Sequence, residues 1–130
     1  MFRLVKVLNG NNQCEISKLP YSATSPIGPG CALTCTNGVA GFATSTAMPD
    51  YISLTGNADE ERKKIDAMLI TEDMIFKVEY IGSTPPLIGL SVGLATKKYK
   101  MDSVTYNSGG KGKIIELDDA PGMVYVKFRK

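Results

Sequence analysis

Apolar and polar positions alternate with a period of two along most of this chain, and no stretch sustains the 3.6-residue period of an amphipathic helix. Glycine and proline cut the alternation at short intervals. Glycine tolerates the positive φ of tight turns, and proline cannot donate to a ladder. The combination predicts an all-β fold, a small antiparallel β-barrel or sandwich with an N-terminal β-ribbon or arm. The first strand is expected over residues 2–8, with Phe2, Leu4 and, by continuation, Lys6 on one face. Asn9-Gly10-Asn11-Asn12 is a turn signal, so residues 14–19 can return beside that strand. Pro20 ends the pairing, and residues 20–30 form a Pro/Gly-rich connection that cannot be helical. The chain thereby divides into a ribbon and hinge over 1–22 and a barrel over 23–130.

Within the barrel, strands are expected over 31–36 and 39–45 around Asn37-Gly38, then over 51–54, 65–70 and 74–80. In the last of these Met74, Phe76, Val78 and Tyr80 share one face, with Ile75, Lys77 and Glu79 on the other. Gly89 and Gly93 suggest a corner in 87–93 where two backbones approach closely. The final third reads as two hairpins. Residues 96–106 turn through Asn107-Ser108-Gly109-Gly110 into 111–117, and 118–122 then turn the chain into 123–129. In the closing strand Val124, Val126 and Phe128 point to the core, away from Met123, Tyr125, Lys127 and Arg129. Any helix is confined to 57–66. There Asp59, Glu60 and Glu61 precede Arg62, Lys63 and Lys64 in the order a helix dipole favours, but nothing apolar interleaves and a solvated loop is expected.

Composition then narrows the chemistry. With 130 residues, 43% of them hydrophobic and 22% charged, the chain suits one ordinary globular core. It contains no histidine, which removes every imidazole-based triad, general base and zinc site. Cys14, Cys31 and Cys35 are an odd number, and residues 1–8, interrupted by Arg3 and Lys6, do not read as a signal peptide. Free, buried thiols follow, in a protein assembled in a cytoplasm. No apolar run approaches the length of about eighteen residues needed for a membrane span. Gly109-Gly110-Lys111-Gly112-Lys113 lacks the first glycine, the hydroxyl residue and the helix of a phosphate-binding loop. Asp118-Asp119 fits a hairpin turn rather than a shared acid–base site. No catalytic residue, metal or cofactor is therefore expected. Lys97, Lys98, Lys100, Lys111, Lys113, Lys127, Arg129 and Lys130, with Tyr99, Tyr106 and Tyr125 among them, could line a single-strand-binding surface. A net charge of +2 argues against nucleic acid, and lysines at strand ends also blunt sheet edges.

The order of strands and turns resembles that of small bacteriophage head-decoration, or capsid cement, proteins over about residues 20–130. The resemblance rests on Pro26-Ile27-Gly28-Pro29-Gly30-Cys31-Ala32-Leu33-Thr34 followed by Asn37-Gly38-Val39-Ala40, then Pro49-Asp50-Tyr51-Ile52-Ser53-Leu54 and residues 71–78. Leu90-Ser91-Val92-Gly93 is similar to a family corner in which an acidic residue usually stands at the place of Leu94, and residues 112–117 and 124–128 resemble the family's last hairpin. The resemblance implies a virion protein assembled in the host cytoplasm. It would bind the major capsid protein on the outer surface of an icosahedral head, as a homo-oligomer such as a trimer, and stabilise contacts between capsomers. Phe2, Leu4, Val5, Val7 and Leu8 are a large apolar allotment for a chain end, so they are the candidate partner-binding residues, paired either with their own barrel or with a neighbour's sheet edge. A small β-barrel module for nucleic acid or protein, or another virion position such as a tail or head-completion component, remains the alternative.

Overall fold

The computed structural model describes residues 1–8, 15–21, 27–55 and 64–129. Eleven strands and no helix are formed among the described residues: β1 (Arg3–Val7), β2 (Ile16–Pro20), β3 (Ala32–Thr36), β4 (Val39–Phe42), β5 (Tyr51–Ser53), β6 (Lys64–Leu69), β7 (Met74–Ile81), β8 (Ser91–Ala95), β9 (Ser103–Tyr106), β10 (Gly112–Leu117) and β11 (Met123–Phe128). The fold is all-β, as the period-two pattern predicts. The expected turn at 9–12, Cys14 and most of the charged segment at 57–66 lie outside the described residues.

The first sheet runs β1-β7-β11-β10-β8-β9 and closes on itself, because β9 also pairs with β7 in parallel through Tyr80↔Val104 and Ile81↔Thr105. β7 serves two neighbours along that edge: β1 covers its first half, from Val7↔Met74 to Arg3↔Lys77, and β9 its end. The alternation read from 74–80 and 123–129 is obeyed residue by residue. Met74, Phe76, Val78 and Tyr80 are buried, as are Val124, Val126 and Phe128. Phe2, Phe76 and Phe128 meet at the centre of this barrel with ring centroids 5.7–6.2 Å apart. The 6.2 Å edge-to-face geometry of Phe2 on Phe76 suits the ring quadrupoles.

The second sheet is antiparallel, ordered β2-β6-β5-β3-β4, and it curls until its two edges meet where Tyr21 bridges Ala40. One of its faces encloses a smaller core of Leu19, Ile27, Cys31, Leu33, Ala40, Ile65 and Ala67. The other sends Ala32, Ile52 and Met68 into the core of the first barrel. Ser53 fixes the entry to β3: its hydroxyl donates to Gly28 O at 2.6 Å and accepts the Cys31 N–H at 2.9 Å. Backbone bonds tie the sheets together, Leu94 N to Ser45 O (2.9 Å) and Ala32 N to Met101 O (2.9 Å). The corner expected around Gly93 is such an approach, since a Cβ there would lie 2.5 Å from Ser45 O.

Two expectations are corrected. Among the described residues of 1–22 no separate ribbon forms, because β1 and β2 do not pair with each other: β1 joins β7 in the first sheet and β2 joins β6 in the second. The reason is burial. Phe2 and Leu19 fit different cores, and a bulge at Val5 resets the phase so that Val7 as well as Leu4 faces inward. Residues 96–106 are likewise not one strand returning along 111–117. Only β9 is extended, and it pairs with β8, which separates it from β10. Asp102 causes the break by drawing the backbone N–H groups of residues 97–99 onto its carboxylate, out of any ladder.

Candidate functional site

Burial sorts the five N-terminal candidates into two groups. Phe2 is 3% exposed inside the barrel, and Leu4 and Val7 pack against the same core. Val5 and Leu8 are each 46% exposed. Val5 is the extra residue of the bulge, and Leu8 follows the strand with its N–H bonded to Asp73 O at 2.8 Å. These five residues therefore do not form one docking surface: three of them complete their own barrel.

Among the described residues the most exposed large apolar side chains lie elsewhere, on the turn between β7 and β8, with Ile16 at the start of β2 next. Leu87 is 62% and Ile88 is 68% exposed. Their backbone is nevertheless pinned. Leu90 N bonds Leu87 O at 3.0 Å, Gly89 N bonds Ile114 O at 2.7 Å, and Ile114 N returns to Leu90 O at 3.0 Å. Gly89 supplies the positive φ (92°) that the turn needs, and Pro85-Pro86 restrict its approach. Leu117, 41% exposed, stands at the end of the strand that anchors the turn. The two glycines of 87–93 mark a corner in the sequence, but they do not tell that Leu87 and Ile88 face outward. The signal that marks them is the enclosure of just two apolar residues between Pro85-Pro86 and Gly89.

The titratable groups are structural ties. Asp102 is buried, and it accepts N–H bonds from Lys97 (2.8 Å), Lys98 (3.1 Å) and Tyr99 (2.7 Å). Burial alone would raise its carboxyl, but the three donors bring it below the usual carboxylate range. Asp118 accepts the Tyr125 hydroxyl at 3.0 Å and faces Lys77 Nζ at 3.2 Å; both contacts lower its carboxyl, the hydrogen bond more. Burial pushes the Cys31 thiol up, away from the thiolate a nucleophile needs, and Cys35 is half-buried beside the same small core. Two cavities of about 180 and 250 Å³ share Met1 and Glu79 in their walls, and Glu79 already pairs with Lys97 at 2.7 Å. Among the described residues no three His, Cys, Asp or Glu side chains gather as a metal site.

The basic residues named from the sequence separate. Lys97, Lys98 and Lys100 lie in the loop held by Asp102, where Lys98 sits over Tyr99 and Lys100 over Phe42. Lys111, Lys113, Lys127 and Arg129 lie on the β10–β11 hairpin, whose glycine-rich entry is a turn: a Cβ at Gly110 would stand 2.0 Å from Val92 O, so a backbone and not a phosphate fills that space. Compared with protein-family models, curated proteins and solved structures, the chain matches none.

Proposed function

We propose that this protein is a structural component that docks on a larger protein assembly through a fixed apolar knob, and that the assembly is an icosahedral phage head. The observation that carries the reading is the turn at Leu87-Ile88: two neighbouring large apolar side chains, more than 60% exposed, on a backbone held by hydrogen bonds to β10. Apolar groups presented this way gain from insertion into a partner's pocket, and a backbone already ordered loses little entropy on binding. The choice of a capsid as partner comes from the resemblance to head-decoration proteins. In that role the protein bridges neighbouring copies of the major capsid protein on the head surface and carries out no catalysis.

Co-sedimentation with purified heads of the virus concerned tests the reading. The wild-type protein is expected to pellet with heads and to raise their disruption temperature, and L87S/I88S to stay in the supernatant with an unchanged melting temperature of its own. A wild-type protein that remains in the supernatant refutes the capsid reading. A double variant that pellets equally well refutes the knob.

A further inference from the structure

The outward faces of β1, β7, β11 and β10 carry a cationic surface with an acidic border at Glu79 and Glu116. The buried residues of each strand fix the direction of their neighbours: with Val124, Val126 and Phe128 inside, Lys127 and Arg129 point out, and with Gly112 and Ile114 inside, Lys111 and Lys113 do the same. Register places them side by side. Lys113 stands directly opposite Lys127, Arg129 N bonds Lys111 O at 2.8 Å, Lys6 is opposite Ile75 and Arg3 opposite Lys77. Among the described residues, Lys77 has an ion pair here, with Asp118, while Arg3, Lys6, Lys111, Lys113, Lys127 and Arg129 have none within 4.0 Å.

That arrangement is costly without a ligand. Like charges directly opposite on neighbouring strands repel, as Lys113 and Lys127 do. Edge protection does not account for the pair, since β11 lies between β7 and β10, and β10 between β11 and β8. Solubility does not demand it either: the chain holds 15 basic and 13 acidic residues, enough to intersperse the signs.

We propose that this face binds the phosphate backbone of a nucleic acid without reading its sequence. The site is independent of the turn at Leu87-Ile88 on which the assembly-binding reading rests. A protein partner is disfavoured because interface centres are depleted of lysine and built around apolar anchors, whereas the row Lys6–Ile75–Lys127–Lys113 and its neighbours Lys111 and Arg129 hold Ile75 as their one apolar member, with Glu116 and Glu79 on the far side of Tyr125 and Lys77. A polyanion fits. Cations two residues apart on one strand are spaced about 6.6 Å, and the neighbouring strand lies about 4.8 Å away, so two parallel lines of charge face a backbone whose condensed counterions are released on contact.

Fluorescence anisotropy with a short labelled single-stranded oligonucleotide and with its duplex tests the proposal and separates the two sources of phosphate. Six phosphate contacts, one for each cation without an ion pair, predict an affinity loss of about three-hundredfold or more between about 50 and 200 mM salt. K113E/K127E should abolish binding. K113Q/K127Q, which also relieves the cross-strand repulsion and should keep the fold, should weaken binding at least tenfold, and K18E/K100E, away from this face, should leave it unchanged. The proposal is overturned if neither oligonucleotide binds at low salt, if the charge reversal has no effect, or if polyglutamate or phosphatidylserine vesicles bind as tightly as the oligonucleotides.

Discussion

The two sheets bury different kinds of side chain, and they close by different means. The first surrounds Phe2, Phe76, Phe128 and a ring of valines, and a two-residue parallel ladder between β7 and β9 seals it. The second surrounds Leu, Ile, Ala and Cys side chains, is sealed among the described residues by a bridge at Tyr21–Ala40, and takes Tyr99 from the loop after β8 as part of its packing. Its opposite face lends Ala32, Ile52 and Met68 to the larger core. The comparison teaches that the second sheet is no independent unit: large side chains stabilise the first, while the second relies on polar ties and on what it packs against.

The largest expected effect follows. Phe128→Ala removes a ring that touches both Phe2 and Phe76, and should cost about 4 kcal/mol. Both sheets should then unfold in one transition at lower urea. Circular dichroism would report total strand, and the Cys31 thiol, in a C14S/C35S background, would report the second core. Thiol exposure well ahead of the loss of strand signal would show the second sheet opening alone and would break the comparison.

Phe2→Ala is the next test, at about 3 kcal/mol. A free arm would tolerate it. A chain end whose ring is 3% exposed and packs against two others does not, and deletion of residues 1–8 should be worse than the point substitution. An unchanged melting temperature in either variant would return these residues to the role of an arm available to partners.

Asp102→Ala ranks third. It takes the shared acceptor from three partly buried backbone N–H groups, worth about 2 kcal/mol, and should loosen Tyr99 from the second core. The folded protein holds this carboxyl below its ordinary value, so its contribution is complete above the ordinary carboxylate range and fades as pH falls through the lower folded value. Urea midpoints measured against pH should decline less steeply on the acid side in the variant than in the wild type.

How far the sequence discloses this architecture depends on whether a strand's own alternation decides its place. In β7 and β11 it does: side chains point in and out as the pattern says, and the β10–β11 hairpin is marked by its own turn residues. Partners across long separations are not so marked. Nothing local in Arg3–Val7 tells that it joins Met74–Lys77 instead of its neighbour in sequence, and one bulged residue, Val5, changes which side chains are available. Asp102 hides its role for a similar reason, because a carboxylate that collects backbone donors three to five residues upstream resembles any polar residue in a strand. The cationic face was legible only in its ingredients. Lys113 and Lys127 are visible as basic residues, but their direct opposition is a property of register.

The smallest effect concerns a second carboxylate, held differently from Asp102. Asp118 in the β10–β11 turn is held by side chains: the Tyr125 hydroxyl at 3.0 Å, then Lys77 at 3.2 Å, with the Ala120 N–H at 3.3 Å. The Tyr125 bond is the strongest influence lowering the Asp118 carboxyl, and the same bond holds the phenol above its usual value. Tyr125→Phe should therefore raise the Asp118 titration toward the ordinary carboxylate range while Lys77 and the turn N–H keep it from arriving there. Since stability from a depressed carboxyl is present above its unfolded value and lost as pH falls through its folded one, the acid-side decline tied to Asp118 should shrink and move to higher pH. Carbon-detected NMR of the carboxyl resonances resolves this directly, with Asp102 as an internal reference that should not move, because its donors are backbone groups. An Asp118 titration unchanged in Y125F would mean that Lys77 and the Ala120 N–H hold the carboxylate without help from Tyr125. The row Tyr125–Lys77–Arg3 would then belong electrostatically to the cationic face rather than to its acidic border.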